Sequence, residues 1–495
     1  MTATHELETR LARTLRAGAR GVLVTTDEEV RAIAMLEEVG RALHWPVHCW
    51  SATAGVDGDR KSRSLHDALA AVRVAEHDAI WVLLDASAHL DAVAIRAIRE
   101  LAQRVEGPAL VLLEHQSTSA LAKLPELVRE PLPLPDHDEL AQRVGTVATA
   151  LADGGWADAV RELGAASNTL ATAGLGLGLV AFERLLAEAV LTHQLDTTAI
   201  ARFITTEKPR VLGEGGLVDL VEASPADRLG GLAHLKAWLR RRKPSFDPAA
   251  AAAGIVPARG CLLVGVQGCG KSLTARVCAG ELALPLVRLE PGRIFGGTVG
   301  ESEANLRRVV ADVDRMAPVV LWIDELDKGF AGADGAASDG GTAARVLGGL
   351  LTWLQERTRP VFVVATANRI DVLPAELLRR GRFDDIFFVD LPDADEREAI
   401  LRVPLVDEPA RRGAKVELPG AWSQWAALAR AAEGTSGAEL AAAVAEARLA
   451  AWADRRALQP DDFRDALAQS VPLSVLRKED VAALRAWAHG RARRA

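Results

Sequence analysis

The segment Gly265-Val266-Gln267-Gly268-Cys269-Gly270-Lys271-Ser272 decides the fold of the second half of the chain. It has the G-x-x-x-x-G-K-[ST] spacing of a phosphate-binding loop, and it lies between the apolar run Cys261–Val264 and a helical pattern. Glycines let backbone N–H groups approach phosphate oxygens, and the N-terminus of the following helix favours an anion. The sequence therefore predicts an α/β fold that binds a nucleoside triphosphate. The loop residues expected to contact it are Gly265, Val266, Gln267, Gly268, Cys269, Gly270, Lys271, Ser272 and Leu273.

A pair of carboxylates, Asp324 and Glu325, follows the buried strand pattern Val319–Ile323. In a phosphate-loop protein Lys271 reaches the β- and γ-phosphates, and Ser272 binds Mg²⁺. We expect Asp324 to hold the same ion, usually through water, because Mg²⁺ keeps several waters. Glu325 is then the expected general base for the attacking water. The alternative is that the two acids only cap a helix.

Two more groups complete the expected catalytic set. Asn368 ends the apolar run Val361–Ala367, where its amide would position the attacking water; the alternative is a turn-forming Asn. Arg379 and Arg382 lie in an arginine-rich segment and are expected to reach a γ-phosphate, unless they form only a solvated basic turn. In comparable enzymes such an arginine is worth roughly 10³–10⁵ in rate.

Two α/β alternations divide the chain. Helical patterns separate and follow them, and a connector runs from Thr205 to Ala226. The chain is expected to stay helical from Pro392 to its end. The predicted strands are Gly21–Thr26, Pro46–Trp50, Ala79–Asp85 and Ala109–Leu113, then Gly260–Val264, Leu286–Leu289, Val319–Ile323, Val361–Thr366 and Ile386–Val389. The predicted domains are 1–140 (α/β), 141–226 (helices and connector), 227–395 (α/β core) and 396–495 (helical lid).

The two halves carry a repeated segment. Leu134–Glu139 matches Leu391–Glu396 at every position but one, and both segments follow an apolar strand that a proline precedes. We interpret the match as an internal duplication. The alternative is that apolar strands followed by Pro-Asp recur by chance in α/β folds.

The run from Asp227 to the end of the chain resembles an AAA+ ATPase module. Gly265–Ser272 matches its Walker A loop, and Val320–Glu325 matches Walker B. Asn368 matches sensor 1, and Arg379 and Arg382 match its arginine fingers. The resemblance implies that these fingers complete a neighbouring subunit's site, hence a homo-oligomeric ring, with a hexamer favoured.

Two other motifs of the module concern the base and the lid. The segment that holds Gly230 resembles the one along the adenine, and the segment with Gly437 and Ala438 resembles the lid motif of protein-remodelling members. DNA-acting relatives usually have an arginine where Ala438 stands. The resemblance therefore argues for a protein client and against nucleic acid.

The whole chain resembles one group of AAA+ proteins, called hypothetical chloroplast reading frame forty-six, from plastids, cyanobacteria and other bacteria. The carrying segments are Gly265–Ser272, Arg293–Glu303, Trp322–Lys328 and Val471–Ser474. This resemblance implies ATP hydrolysis with Mg²⁺ and leaves the client open. One departure concerns peptide threading: Thr298 stands at the position of the pore-loop aromatic, although Phe295 lies three residues earlier.

The first half departs from the module at its phosphate-loop position. Thr25-Thr26-Asp27-Glu28-Glu29 follows Val22-Leu23-Val24, without a Gly-Lys pair and with carboxylates that would repel phosphate. Asp85 is followed by Ala86, which leaves the expected base position empty. We therefore expect a degenerate AAA-like domain, a pseudo-ATPase that binds no nucleotide and serves as a docking or regulatory layer.

Composition is consistent with an acidic protein of several domains. The 495 residues include 59 basic and 67 acidic ones, a formal net charge of −8, so no general attraction to nucleic acid or anionic lipid is expected. Four cysteines without a disulfide or zinc pattern favour a reducing, cytoplasmic compartment. No secretory signal is recognised, and the uncharged stretch Leu163–Phe182 contains too many polar residues and glycines for a membrane span. Cys269 lies at a helix N-terminus that can lower a thiol pKa, so redox control of ATP binding is one hypothesis; a small tolerated residue is the other.

Three functions remain open from the sequence. The first is a remodelling or regulatory ATPase that acts on a protein partner. The second is a nucleotide-dependent switch or scaffold with slow turnover. The third and weakest is a nucleic-acid motor.

Overall fold

The computed structural model describes residues 2–115, 118–213, 217–247, 249–250, 253–294, 301–330, 340–379, 381–407 and 425–495. The chain divides into two compact units, Met1–Ile204 and Thr205–Ala495. The helices that follow residue 140 up to residue 204 thus belong to the same unit as the first sheet. The finer domain boundaries stay predictions.

The first unit contains a six-stranded sheet in the order β3-β2-β4-β5-β1-β6. Its central strands are rich in Val and Leu, and β5 is buried at every position, as expected for parallel strands that helices cover on both faces. All pairs are parallel except β2 with β3. The strands are β1 (Gly21–Thr25), β2 (Val47–Ser51), β3 (Gly55–Val56), β4 (Ile80–Leu84), β5 (Ala109–Glu114) and β6 (Val128–Pro131).

The four strands predicted for the first unit are therefore confirmed. Sequence patterns missed β3 and β6, which are the two edge strands and are too short for a clear apolar run. The α-helices of this unit and the connecting one are Ala3–Arg16, Glu29–Leu43, Leu65–Val74, Ala92–Ala102, Ser119–Ala122, His137–Asp153, Ala159–Ala165, Ser167–Gly174, Leu179–His193 and Thr197–Gly213.

The second unit contains a seven-stranded sheet in the order β13-β12-β8-β11-β10-β9-β7. Its pairs are parallel except β7 with β9. The strands are β7 (Val218–Val221), β8 (Gly260–Gly265), β9 (Leu286–Leu289), β10 (Val319–Ile323), β11 (Val361–Ala367), β12 (Asp385–Val389) and β13 (Arg493–Arg494). The five strands predicted here are confirmed, and β7 and β13 were not predicted.

The expectation of helices from Pro392 to the end of the chain is wrong at β13. Arg493 and Arg494 pair with β12, and the Ala495 amide donates to the Phe388 carbonyl at 3.2 Å. Two exposed arginines carry no strand pattern, so only pairing with the sheet edge defines this strand. The α-helices with described bounds in this unit are Ala233–Arg242, Lys271–Leu282, Pro291–Ile294, Glu301–Met316, Leu326–Phe330, Gly340–Glu356, Ala394–Arg402, Trp425–Ala431, Gly437–Ala453, Pro460–Ala468, Leu473–Leu476 and Lys478–Ala488.

The two sheets share one topology. The order β6-β1-β5-β4-β2 in the first corresponds strand by strand to β12-β8-β11-β10-β9 in the second. The repeated sequence also has the same local structure in both, because Asp136 with Glu139 and Asp393 with Glu396 each form a capping box at the start of a helix. The shared order and the shared caps support the interpretation as a duplication.

The uncharged stretch 163–182 is divided among three helices that end at Ala165, Gly174 and His193. Within the described ranges, no helix combines the length and the apolar character that crossing a bilayer requires.

Candidate nucleotide-binding site

The phosphate-loop segment connects β8 to the helix Lys271–Leu282. Gly268 and Gly270 have φ angles of 78° and 85°, which side chains other than glycine rarely adopt. Lys271 opens the helix, and its Nζ donates to the carbonyls of Gly265 at 2.8 Å and Val266 at 2.9 Å. Burial lowers the pKa of Lys271 to about 8. The Lys271 ammonium is therefore enclosed by the backbone carbonyls of the loop that precedes it.

The acidic edge of the sheet faces this loop. Asp324 follows β10, and its Oδ1 lies 3.5 Å from Ser272 Oγ and 2.7 Å from Thr366 Oγ1. Its Oδ2 lies 3.7 Å from a nitrogen of Arg288. A hydroxyl oxygen beside a carboxylate oxygen is a donor set that suits Mg²⁺, so the residues present fit this ion.

Glu325 has a left-handed backbone with φ of 51°, which is uncommon for a residue with a Cβ. Its Oε1 accepts from Asn368 Nδ2 at 3.4 Å, and its Oε2 lies 2.6 Å from Lys328 Nζ. Asn368 is itself fixed, because Asp327 accepts from the amides of Asn368 and Arg369, both at 3.2 Å. The predicted base and the predicted sensor are thus in contact.

The helical C-terminal part closes the other side of the site. The Ala438 amide, at the start of the helix Gly437–Ala453, donates to the Gly268 carbonyl at 3.0 Å. Gly230 packs so closely against Ile400 that a Cβ at this position would lie 2.5 Å from the Ile400 amide nitrogen. A side chain at position 230 would therefore push the segment that holds Gly230 away from the helix Ala394–Arg402.

These elements enclose a cleft of about 590 Å³, within the usual size of small-molecule sites. Most predicted site residues line it, whereas Gly265, Val266, Arg379 and Arg382 do not. The lining residues among those predicted are Gly230, Gln267, Gly268, Cys269, Gly270, Lys271, Ser272, Leu273, Asp324, Glu325, Asn368, Gly437 and Ala438.

The two predicted finger arginines lie outside this cleft. Arg379 is exposed, and Arg382 is partly buried. Within the part of the chain that the structure describes, the Arg382 Nε and Nη1 atoms are buried without a hydrogen-bond partner. Buried donor atoms without a partner have a free-energy cost.

Cys269 differs from the sequence-based hypothesis. Burial raises the pKa of its thiol to about 12, and this effect outweighs the attraction of the nearby Lys271 ammonium. The thiol is therefore protonated at neutral pH, and the expected lowering of its pKa is wrong.

Sequence reasoning gave no role to Thr366 and Asp327, which hold the acidic edge together. Thr366 is the only hydroxyl-bearing residue in β11, and Asp327 is a buried acid two residues after Glu325. A polar residue inside an apolar strand was the available signal. The pore-loop positions Phe295 and Thr298 lie outside the described residues.

Equivalent residues of the two sheets can be identified from matching backbone hydrogen bonds. The Leu110 amide donates to Arg20 as the Val363 amide donates to Arg259, and the bond from Ile80 to Pro46 matches that from Val320 to Pro285. The following helices end in left-handed residues at the equivalent points His44 and Ala283. The chain from Arg20 to His44 is as long as the chain from Arg259 to Ala283, so Glu29–Arg31 are equivalent to Gly268–Gly270.

The same register pairs Asp85 with Glu325, and both have left-handed backbones, with φ of 49° and 51°. Leu84 then stands where the second sheet has Asp324. The sequence analysis expected Ala86 at the base position, which would place Asp85 at the metal position, and this expectation is wrong. In the structure, the metal carboxylate is the one that is missing.

Two family comparisons match this organisation. The ATPase family associated with various cellular activities (AAA) matches residues 261–391, and the SpoVK-like AAA ATPase N-terminal domain matches residues 7–129. The second unit thus contains an AAA ATPase domain, and the first contains the N-terminal domain of this type.

Similar proteins from several organisms are named "uncharacterized AAA domain-containing protein ycf46". The one from Pyropia yezoensis is 36% identical over 84% of this chain and 82% of its own length. The one from Guillardia theta is 35% identical over 79% and 75%. The one from Trieres chinensis is 40% identical over 63% and 62%, so the match spans less than two thirds of that relative. The chain belongs to the ycf46 family of AAA domain-containing proteins.

Proposed function

We propose that the second unit binds ATP with Mg²⁺ and hydrolyses it to ADP and phosphate. The observation that carries this proposal is the convergence of the phosphate loop, the acidic pair and Asn368 on one cleft. Family membership supports nucleotide use in general, and the geometry of the chain's own residues supports the reaction.

Each residue has a defined part in the proposed reaction. Lys271 and the loop amides bind the phosphates, and Ser272 and Asp324 are the residues that would hold Mg²⁺, which neutralises charge on the phosphate oxygens. Glu325 takes the proton from the attacking water. Asn368 donates to Glu325 at 3.4 Å and so keeps its carboxylate directed into the cleft. Together these groups supply positioning and electrostatic stabilisation.

We also propose that the site is completed by a second copy of the chain. Arg379 and Arg382 do not line the cleft of their own unit, and Arg382 has two buried donor atoms without a described partner. A head-to-tail contact between copies would bring such an arginine to the neighbouring γ-phosphate, and repetition of that contact closes a ring. A hexamer is the favoured ring size.

The proposed client is a protein. The net charge of −8 disfavours a nucleic acid, and Ala438 at the lid supplies no cation. Turnover measured with an unfolded protein and with DNA separates the two classes. Stimulation by DNA alone would contradict the proposed client.

Hydrolysis is tested with Glu325→Gln, which keeps the size of the side chain and removes the base. We expect phosphate release to fall about 10²–10⁴-fold while ATP affinity is retained. Glu356→Gln, at an exposed helix end, is the matched control and should turn over normally. Retained turnover in Glu325→Gln would remove Glu325 from the proposed role.

The shared site is tested by mixing two inactive variants. In mixed rings of Glu325→Gln and Arg382→Ala, about a quarter of the sites combine an intact base with an intact neighbouring arginine. Phosphate release should therefore recover on mixing. Mixed oligomers without recovery, or brisk hydrolysis by a chain that is monomeric at all concentrations, would contradict the proposal.

A further inference from the structure

Thr366 is an exception within its strand. The other residues of β11, Val361–Ala367, are apolar, and Thr366 is 2% exposed. A buried hydroxyl lowers stability unless it forms hydrogen bonds, so its contacts explain why the strand contains it.

The Thr366 hydroxyl contacts both members of the acidic pair. It donates to Asp324 Oδ1 at 2.7 Å and accepts from the Glu325 amide at 2.9 Å. A hydroxyl has a single proton, so its donation to Asp324 leaves a lone pair for the Glu325 N–H. One side chain thus fixes the carboxylate of Asp324 and the backbone of Glu325.

The backbone of Glu325 needs such a contact. Its φ of 51° is unfavourable for a residue with a Cβ, and surrounding contacts must compensate for the cost. The hydrogen bond from the Glu325 amide to the Thr366 hydroxyl holds this conformation. The hydrogen bond from the Thr366 hydroxyl to Asp324 keeps the Asp324 carboxylate 3.5 Å from Ser272 Oγ. We propose that Thr366 is a positioning residue for ATP hydrolysis, which sets the metal-binding carboxylate and the general base together.

The first unit supports this inference by contrast. There Leu113 and Leu84 stand at the positions of Thr366 and Asp324, and the Asp85 amide donates to the Leu113 carbonyl at 3.1 Å. The hydroxyl and the metal carboxylate are thus absent together. In the first unit, a main-chain carbonyl is enough to hold the left-handed residue Asp85, because no metal-binding carboxylate precedes it.

The inference rests on the proposed ATPase function, and Thr366→Val tests it because valine keeps the shape without the hydroxyl. We expect kcat to fall about tenfold to a hundredfold, the size expected for losing a hydrogen bond to a charged group. The Mg²⁺ concentration for half-maximal rate should rise several-fold, whereas ATP affinity changes by less than about threefold. Thr366→Ser should restore most of both. Thr352→Val, which removes an exposed hydroxyl bonded only to the Gly348 carbonyl, is the matched control.

The outcomes separate this inference from the function on which it rests. A wild-type chain without ATP turnover overturns the proposed function itself. Normal turnover in Thr366→Val, or equal losses in the valine and serine variants, overturns only the role of Thr366. Thermal unfolding is measured for each variant, and Thr366→Ala replaces Thr366→Val if the valine chain does not fold. Loss of rate with unchanged Mg²⁺ dependence also contradicts the positioning role.

Discussion

The first and second units reach the same point of the same topology with different chemistry. After β8 the chain forms a loop, in which Gly268 and Gly270 have positive φ, and its helix begins at Lys271. After β1 the equivalent residues Glu29–Arg31 are already helical, so the helix begins one turn earlier and Ala32 stands where the other unit has Lys271. The space of a phosphate loop is filled by helix.

The contacts between the sheet edge and the helices that follow it in the chain differ in the same way. In the second unit the Ala438 amide donates to a loop carbonyl, whereas in the first the Leu179 amide donates to Glu28 Oε1 at 2.5 Å. Arg31 links Glu28 to Glu139 at 2.8 Å and 3.1 Å. A carboxylate at a helix N-terminus is stabilising, so Glu28 joins the sheet edge of the first unit to the helix Leu179–His193. One architecture therefore supports a binding cleft or an internal ionic contact, depending on a few residues.

The largest expected effect is loss of ATP binding in Lys271→Ala. If only the second unit binds nucleotide, affinity should fall by about a hundredfold or more, and the stoichiometry should drop from one ATP per chain to none. Lys478→Ala, at an exposed position, should bind normally. Titration with a fluorescent ATP analogue measures both. Residual tight binding of ATP in Lys271→Ala would reveal a second site and contradict the view that only the second unit binds nucleotide.

Glu28→Ala tests the internal contact of the first unit. Loss of the ion pair and of the helix contact should lower the stability of this unit by about 2 kcal/mol and speed hydrogen exchange at the Leu179 amide. ATP turnover should stay unchanged. Glu38→Ala removes an exposed pair with Arg41 and should cost at most about 0.5 kcal/mol. Unchanged exchange at Leu179 would show that Glu28 does not stabilise the start of the helix Leu179–His193.

The paired helix caps give a smaller, matched effect. Asp136→Ala and Asp393→Ala should each destabilise their own unit by about 1 kcal/mol, measured by urea unfolding. Hydrogen bonds, first from the Glu396 amide, lower the pKa of Asp393 below its usual 3.8. Burial opposes ionisation of Asp136, but bonds from the Glu139 and Ala3 amides outweigh it and lower its pKa as well.

Because both pKa values are lowered on folding, this stabilisation is complete above about pH 4 and is lost as the pH falls through the folded-state values. The Asp→Asn variants keep the oxygen that caps the helix but lose the pH dependence. They also lose the bond to the second oxygen, from the Ala3 amide in Asp136→Asn and from Arg494 in Asp393→Asn. If the two caps contribute unequally to the free energy of unfolding, the two units are equivalent in backbone structure but not in the energetics of their caps.

Cys269→Ala should have the smallest effect, with turnover within about twofold of the wild type, because a protonated thiol supplies no charge to the site. Turnover that responds to oxidation in the wild type but not in Cys269→Ala would restore the redox hypothesis.

Much of the fold could be predicted because its signals are local. Buried central strands such as β5 and β11 are continuous apolar runs, and Gly268–Lys271 has a spacing that chemistry explains directly. The edge strands β3, β6, β7 and β13 were missed because pairing with a neighbour, rather than composition, defines them. The contacts of Thr366 were missed because they join strands far apart in the chain.

From the sequence alone follow the two α/β units, the phosphate loop, the acidic pair and the absence of a Gly-Lys pair after β1, since each depends on residue type and short-range spacing. The tertiary structure was needed to pair Asp85 with Glu325, to place Thr366 between Asp324 and Glu325, and to join Glu28 to Leu179. These relations depend on strand register and on the approach of distant segments. Register and long-range packing are properties of the folded chain that no local pattern encodes.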